Sequence, residues 1–157
     1  DMEIKIPIHL TVDNDGFLRR ECPHCQRYFK WHDGPANEEA EQHETPPAYY
    51  CPICGQPAGM DSWWTQGQLA YIEQLQERAA LQVADYGLDD LFKGMSSKHF
   101  KVKRTRHLDI PDEPVPPIEP DDMVMIVSPC HAYEPIKVPA DAVSPFYCLV
   151  CGATFAA

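Results

Sequence analysis

The sequence has no hydrophobic run approaching the ~18 residues of a membrane-spanning helix. That argues against an integral helical membrane protein. Positive charge is scarce: 13 lysines and arginines stand against 24 acids, a formal net charge of −11. A chain so balanced is repelled by nucleic acid and by anionic membranes, which disfavours partners of both kinds. Glycine is sparse, 8 in 157 residues, and none sits in a phosphate-cradling loop. No nucleophile elbow and no paired-carboxylate pattern appears. No secretion leader is visible, and Met2 reads as the natural first residue with Asp1 as an addition.

What is present is cysteine and proline. Six of the seven cysteines fall in CxxC pairs. Without a leader, such clustering reads as metal ligands in a reducing cytosol rather than as disulfides, so a cytoplasmic location is expected. Sixteen prolines in 157 residues, about twice the usual ~5%, favour short strands and extended connectors over a helix bundle. Hydrophobic residues make up 44%, enough for a packed core.

Periodicity outlines the elements. Residues 3–12 alternate, with Ile4, Ile6, Ile8, Leu10 and Val12 on one face, and Pro7 assigns this strand to an edge. Asp13-Asn14-Asp15-Gly16 is a turn into a strand that starts at Phe17-Leu18. Tyr28, Lys30 and His32 alternate with Phe29 and Trp31 in a further strand. Residues 33–48 read as a polar loop with an acidic run. Residues 62–86 form the one long helix, with Ser62 or Thr65 as N-cap and Thr65/Gln68 as a capping box. Its apolar stripe is Leu69, Ile72, Leu75, Ala79, Val83 and Tyr86, which leaves open a homodimer through the helix. Gly87 is the expected stop, with a short second helix over 88–95. Trp63 and Trp64 stand at the helix entry as plugs. Residues 98–107 read as an exposed strand, and 109–122 as an acidic, proline-rich connector. Residues 123–127, 136–138 and 146–147 are short strand pieces.

The organising motifs are Cys22-Pro23-His24-Cys25 and Cys51-Pro52-Ile53-Cys54-Gly55, separated by 25 residues. Two such turns aim four sulfurs at one point, which suits the tetrahedral shell of structural Zn²⁺. Gly55 suits the turn leaving the second pair, because it tolerates positive φ. The pattern resembles that of zinc-ribbon proteins over residues 17–55, about a quarter of the chain. The resemblance implies a metal-stapled β-domain; ribbons serve nucleic-acid binding, protein docking and purely structural ends alike. Cys-Pro-His-Cys is also the motif of thioredoxin-like disulfide oxidases. Here it leads into a strand rather than a helix, and a second CxxC waits as partner, so the redox reading is disfavoured.

Cys148-Leu149-Val150-Cys151-Gly152 is a third knuckle, and Cys130 supplies a further sulfur. His131 is the first candidate for a fourth ligand, with His107 and His99 as alternatives. Two Zn²⁺ per chain are therefore expected. A catalytic metal is disfavoured, because thiolate-rich shells are usually structural and Glu134 stands alone as a nearby base.

These readings assemble into an α+β chain. A zinc ribbon spans 1–61, a helical segment 62–95, and a second zinc-stapled β subdomain 96–157. The two β pieces are expected to be small separate cores. The function expected is a non-enzymatic adaptor or regulatory protein that docks another protein. The alternative is a nucleic-acid-binding ribbon using Arg19, Arg20, Arg27 and Lys30, together with the basic strand 98–106, which carries Lys98, Lys101, Lys103, Arg104 and Arg106. A metal-dependent or thiol enzyme is the third reading. For the basic stretch, the plainer account is pairing with the acidic connector or with the acidic loop.

Overall fold

The computed structural model describes residues 5–157. Among these residues eight short strands and two α-helices follow in the order β1 (Phe17–Glu21), β2 (Tyr28–His32), α1 (Glu38–Glu41), β3 (Ala48–Tyr50), β4 (Pro57–Gly59), α2 (Gln66–Met95), β5 (Met123–Ile126), β6 (Ile136–Pro139), β7 (Phe146–Tyr147) and β8 (Thr154–Phe155). Two compact units result. One holds residues 5–9 and Gly67–Pro116; the other holds Leu10–Gln66 and Pro117–Ala157.

The second unit is built on a four-stranded antiparallel sheet in the order β1-β2-β6-β5. Lys30 lies opposite Lys137, and Trp31 opposite Ile136. The N-terminal and C-terminal pieces therefore share a sheet. They also share a core, because Phe29, Trp31, Tyr49 and Trp63 pack in one cluster with Ile136, Val138, Phe146, Leu149 and Phe155. This corrects the expectation of two separate small cores. The physical reason is economy of burial: one joined core removes more apolar surface from water than two small ones.

Alternation sorts the sheet into two faces. Leu18, Arg20, Phe29, Trp31, Ile136 and Val138 share the face that carries the cluster. Trp63 is fully buried there, edge-on to Phe29 at 5.5 Å and to Trp31 at 6.0 Å. Its carbonyl accepts the Glu21 N–H at 2.9 Å, so this tryptophan does plug the strand pair. Phe17, Arg19, Lys30 and Lys137 occupy the other face. Lys30 is fully buried, and the acidic connector covers it. Its ammonium meets Asp13 and Glu119 at 3.0 Å and Asp122 at 3.2 Å.

Several expectations change. Residues 5–12 form no strand, and Ile8 and Val12 are exposed; Ile4 lies outside the described residues. An alternating pattern specifies a face only where a neighbouring edge pairs with it, and Pro7 removes one donor. Residues 98–107 form no strand either. The 33–48 loop contains α1, capped by the Asn37 side chain, which accepts the Ala40 N–H at 2.8 Å, and it runs into β3.

In the first unit, α2 is one continuous helix of 30 residues that passes through Gly87 without a break. Thr65 directly precedes it, in the N-cap position. The predicted stripe holds only in part: Leu75 is buried, but Leu69 and Tyr86 are exposed. Within this unit Arg104 returns to the helix, pairing with Asp85 at 2.5 Å and Asp89 at 3.0 Å.

Candidate metal centres

Each CxxC pair sits at the end of a short hairpin, and the three are built alike. Cys22 begins the turn between β1 and β2, Cys51 that between β3 and β4, and Cys148 that between β7 and β8. In each, the first cysteine's N–H donates to the carbonyl five residues on: Arg27, Gln56 and Ala153, at 3.0, 2.9 and 2.8 Å. Its carbonyl accepts an N–H from the fourth residue on, Gln26, Gly55 or Gly152. That fourth residue has positive φ in all three: 60° at Gln26, and 77° at both glycines. Glycine is the natural occupant of this conformation, and Gln26 adopts it at a conformational cost.

The turns converge the ligands. Cys22, Cys25, Cys51 and Cys54 bring their sulfurs within 4.8 Å of one another, and so do the ligand atoms of Cys130, His131, Cys148 and Cys151. The Cys22–Cys54 and Cys25–Cys51 Sγ pairs stand 3.6 and 3.8 Å apart, and Cys130–Cys151 stand at 3.5 Å. Tetrahedral Zn–S bonds of ~2.3 Å would place sulfurs about 3.8 Å apart. These separations are far too long for disulfide bonds, and all seven cysteines are free. Both sets can hold a metal ion.

The fourth candidate ligand of the second cluster is His131, whose Nδ1 lies 3.4 Å from Cys148 Sγ. A bend at Pro129 and Cys130 lets adjacent residues face one point. His107 lies elsewhere, 3.6 Å from Asp85 and 3.8 Å from Asp89. That trio is a third group of potential metal ligands, but the Arg104 guanidinium already supplies it with a cation.

Electrostatics single out one thiolate in each cluster. Burial opposes ionisation of Cys22, but N–H donors from Cys25 and His24 and the Cys54 thiol outweigh it and lower its pKa. Burial pushes Cys51 and Cys25 up. In the second cluster burial again opposes, yet the Ser128 hydroxyl, 3.2 Å from Cys148 Sγ, and the Cys151 and Val150 amides lower Cys148 to about 6. Cys130 is raised to about 11, by desolvation first and then by its neighbours Cys148 and Cys151. One stabilised thiolate beside reluctant ones is the donor chemistry that a divalent cation completes, because the cation removes the mutual repulsion. Ser128 went unrecognised in the sequence; its nearness to Cys130 in Ser-Pro-Cys-His was the only signal.

The clusters differ in exposure. Cys22 and Cys51 are fully buried, whereas Cys130 and Cys151 are exposed. They are also mechanically joined. The Tyr50 N–H donates to Leu149 O at 2.9 Å, and the Tyr147 N–H donates to Pro52 O at 3.0 Å. The Tyr147 ring lies where a Cβ on Gly55 would sit, at 2.8 Å, and the Tyr50 ring does the same at Gly152, at 2.7 Å. The second and third knuckles thus dock by a local two-fold exchange.

Cys22–Cys25 is followed by β2 and not by a helix, so the helix-terminus activation of a disulfide oxidase is absent. Four of the nine basic residues offered for nucleic acid are engaged. Arg19 bonds Glu119 at 3.1 Å and Asp122 at 2.5 Å. Arg20 is buried between the Trp31 and Trp64 rings, 4.4 and 4.6 Å from their centroids. Lys30 and Arg104 are paired as described. Arg27, Lys98, Lys101, Lys103 and Arg106 are exposed. Among the described residues no helix is long and apolar enough to cross a membrane. No protein-family model matches the chain, and neither a curated protein nor a solved structure matches it.

Proposed function

We propose that this chain is a non-enzymatic, zinc-stapled docking module that binds another protein, with two Zn²⁺ as structural cofactors. The observation that carries the reading is the pair of closed four-ligand clusters. Each brings four donor atoms within 4.8 Å of one another, three or four of them sulfur. Such shells are structural, since a catalytic zinc keeps a position open for water. The Cys₄ set fits the zinc-ribbon resemblance, and the Cys₃His set gives the C-terminal knuckle the same metal. The nucleic-acid alternative loses support with the engagement of Arg19, Arg20, Lys30 and Arg104.

The test has two readouts on one preparation. Elemental analysis of the purified chain is expected to return two zinc per molecule, and one or none would remove the second site or both. Cross-linking in the source cells followed by mass spectrometry is expected to return a defined protein partner. Recovery of DNA or RNA at physiological salt, with no protein, would overturn the docking reading.

A further inference from the structure

Beside the second metal cluster lies a cavity of about 250 Å³ whose walls are aromatic and acidic. Trp31, Tyr49 and Tyr133 supply rings, Glu41, Glu44 and Glu134 supply carboxylates, and no lysine or arginine lines it. Its lining side chains contact one another. Trp31 and Tyr49 pack edge to face at 5.0 Å. His43 stacks flat on Tyr133 at 4.0 Å. The Asn37 side chain, capping α1, donates to Tyr133 O at 3.1 Å and ties the acidic segment to the 131–134 turn. The turn itself starts at the ligand His131, whose ring meets Tyr133 edge-on at 5.8 Å.

Glu134 is the telling residue. It lines the cavity beside these rings, half-buried, and no lysine or arginine stands there to neutralise it. A carboxylate in that position gains from an arriving cation, and ring faces attract the same charge through their quadrupoles. The cavity is smaller than the ~300–1,000 Å³ of drug-sized pockets, so it suits a head group and not a whole cofactor.

We propose that this cup binds an organic cation head, a guanidinium or an alkylated ammonium, between the Trp31, Tyr49 and Tyr133 rings and the Glu134 carboxylate. Two sources share that chemistry: a free small cation, or a basic side chain of a protein segment. The cup recognises the charge whether or not the chain is a docking module, so the two readings fail separately.

The experiment uses the full zinc-loaded chain and follows the Trp31 and Tyr133 signals by NMR. Probes are N-acetyl-arginine amide, tetramethylammonium, the neutral N-acetyl-citrulline amide, and a short Gly/Ser peptide carrying one arginine. The two cations are expected to shift these signals saturably in the millimolar range, with citrulline at least ~10-fold weaker. Glu134→Gln, nearly isosteric, is expected to weaken cation binding at least ~10-fold with zinc content unchanged. Should E134Q lose zinc, the E41Q/E44Q double variant at exposed positions carries the same expectation of weakened binding. A peptide binding at least ~10-fold more tightly than the arginine amide assigns the source as a protein segment, and equal affinities assign a free cation. No saturable shift, citrulline binding as well as arginine, or variants binding like wild type would overturn the proposal.

Discussion

At the scale of single residues, Asp13 holds the most consequential position outside the candidate metal ligands. Its side chain is fully buried, with Oδ2 2.9 Å from Lys137 Nζ and 3.0 Å from Lys30 Nζ. Its Oδ1 accepts the Asp15 and Phe17 N–H groups at 3.0 Å. Lys30 and Lys137 are directly opposed across β2 and β6, a pairing that repels unless an anion stands between them. Burial alone would raise the Asp13 carboxyl. Lys137, the Phe17 amide and Lys30 outweigh it and hold the group well below the usual carboxylate range. A folded pKa lowered in this way contributes stability that is fully present above the unfolded value of about 3.9 and is lost progressively as pH falls from there through the lower folded value. Asp13→Ala leaves two buried ammonium groups short of their shared anion. The expected loss is about 3–5 kcal/mol at neutral pH, read from denaturant unfolding of the zinc-loaded chain. A loss under about 1 kcal/mol would show that the connector carboxylates Glu119 and Asp122 suffice alone.

At the scale of elements, the knuckles are the best example of what the sequence makes legible. CxxC spacing and the glycines at 55 and 152 identify turns whose geometry is local, so they can be read residue by residue. The docking of the second knuckle on the third is not local, and nothing in the sequence announces that Tyr50 serves Gly152 while Tyr147 serves Gly55. The same limit explains the strands that failed. Residues 5–12 and 98–107 alternate, but alternation describes a face without supplying a neighbour, and β6 takes its neighbour from a strand more than a hundred residues earlier. Gly87 misled in the opposite way. A helical glycine costs only about 1 kcal/mol, which a 30-residue helix absorbs. Gly152→Ala tests the docked pair. The new methyl meets both a φ of 77° and the Tyr50 ring. The positive φ alone costs about 1–2 kcal/mol, and displacing the ring adds to it. Release of the proposed zinc to a colorimetric chelator should accelerate from both candidate sites. Acceleration confined to the second site would mean that the exchange between knuckles does not couple them.

At the scale of the whole molecule, the question is what a chain of charge −11 does with its few cations. Arg19, Lys30 and Lys137 bind the Asp13 turn and the connector to the sheet, Arg20 lies between tryptophans, and Arg104 anchors the segment after α2. These are positions where a base holds the chain to itself. Lys101 and Lys103 differ, because both are exposed and, among the described residues, neither forms an ion pair. Replacing both with Glu therefore separates folding from recognition. Exposed substitutions away from core and ligands usually change stability by less than about 0.5 kcal/mol, so the unfolding midpoint and two zinc per chain are expected to survive. Titrations of wild type with DNA and RNA at rising salt are expected to stay flat, since phosphate binding would give a steep fall in affinity with salt. If wild type instead binds nucleic acid at physiological salt with such a slope, and K101E/K103E abolishes it while retaining fold and zinc, then the exposed lysines grip phosphate. The docking reading would then give way to a nucleic-acid-binding one.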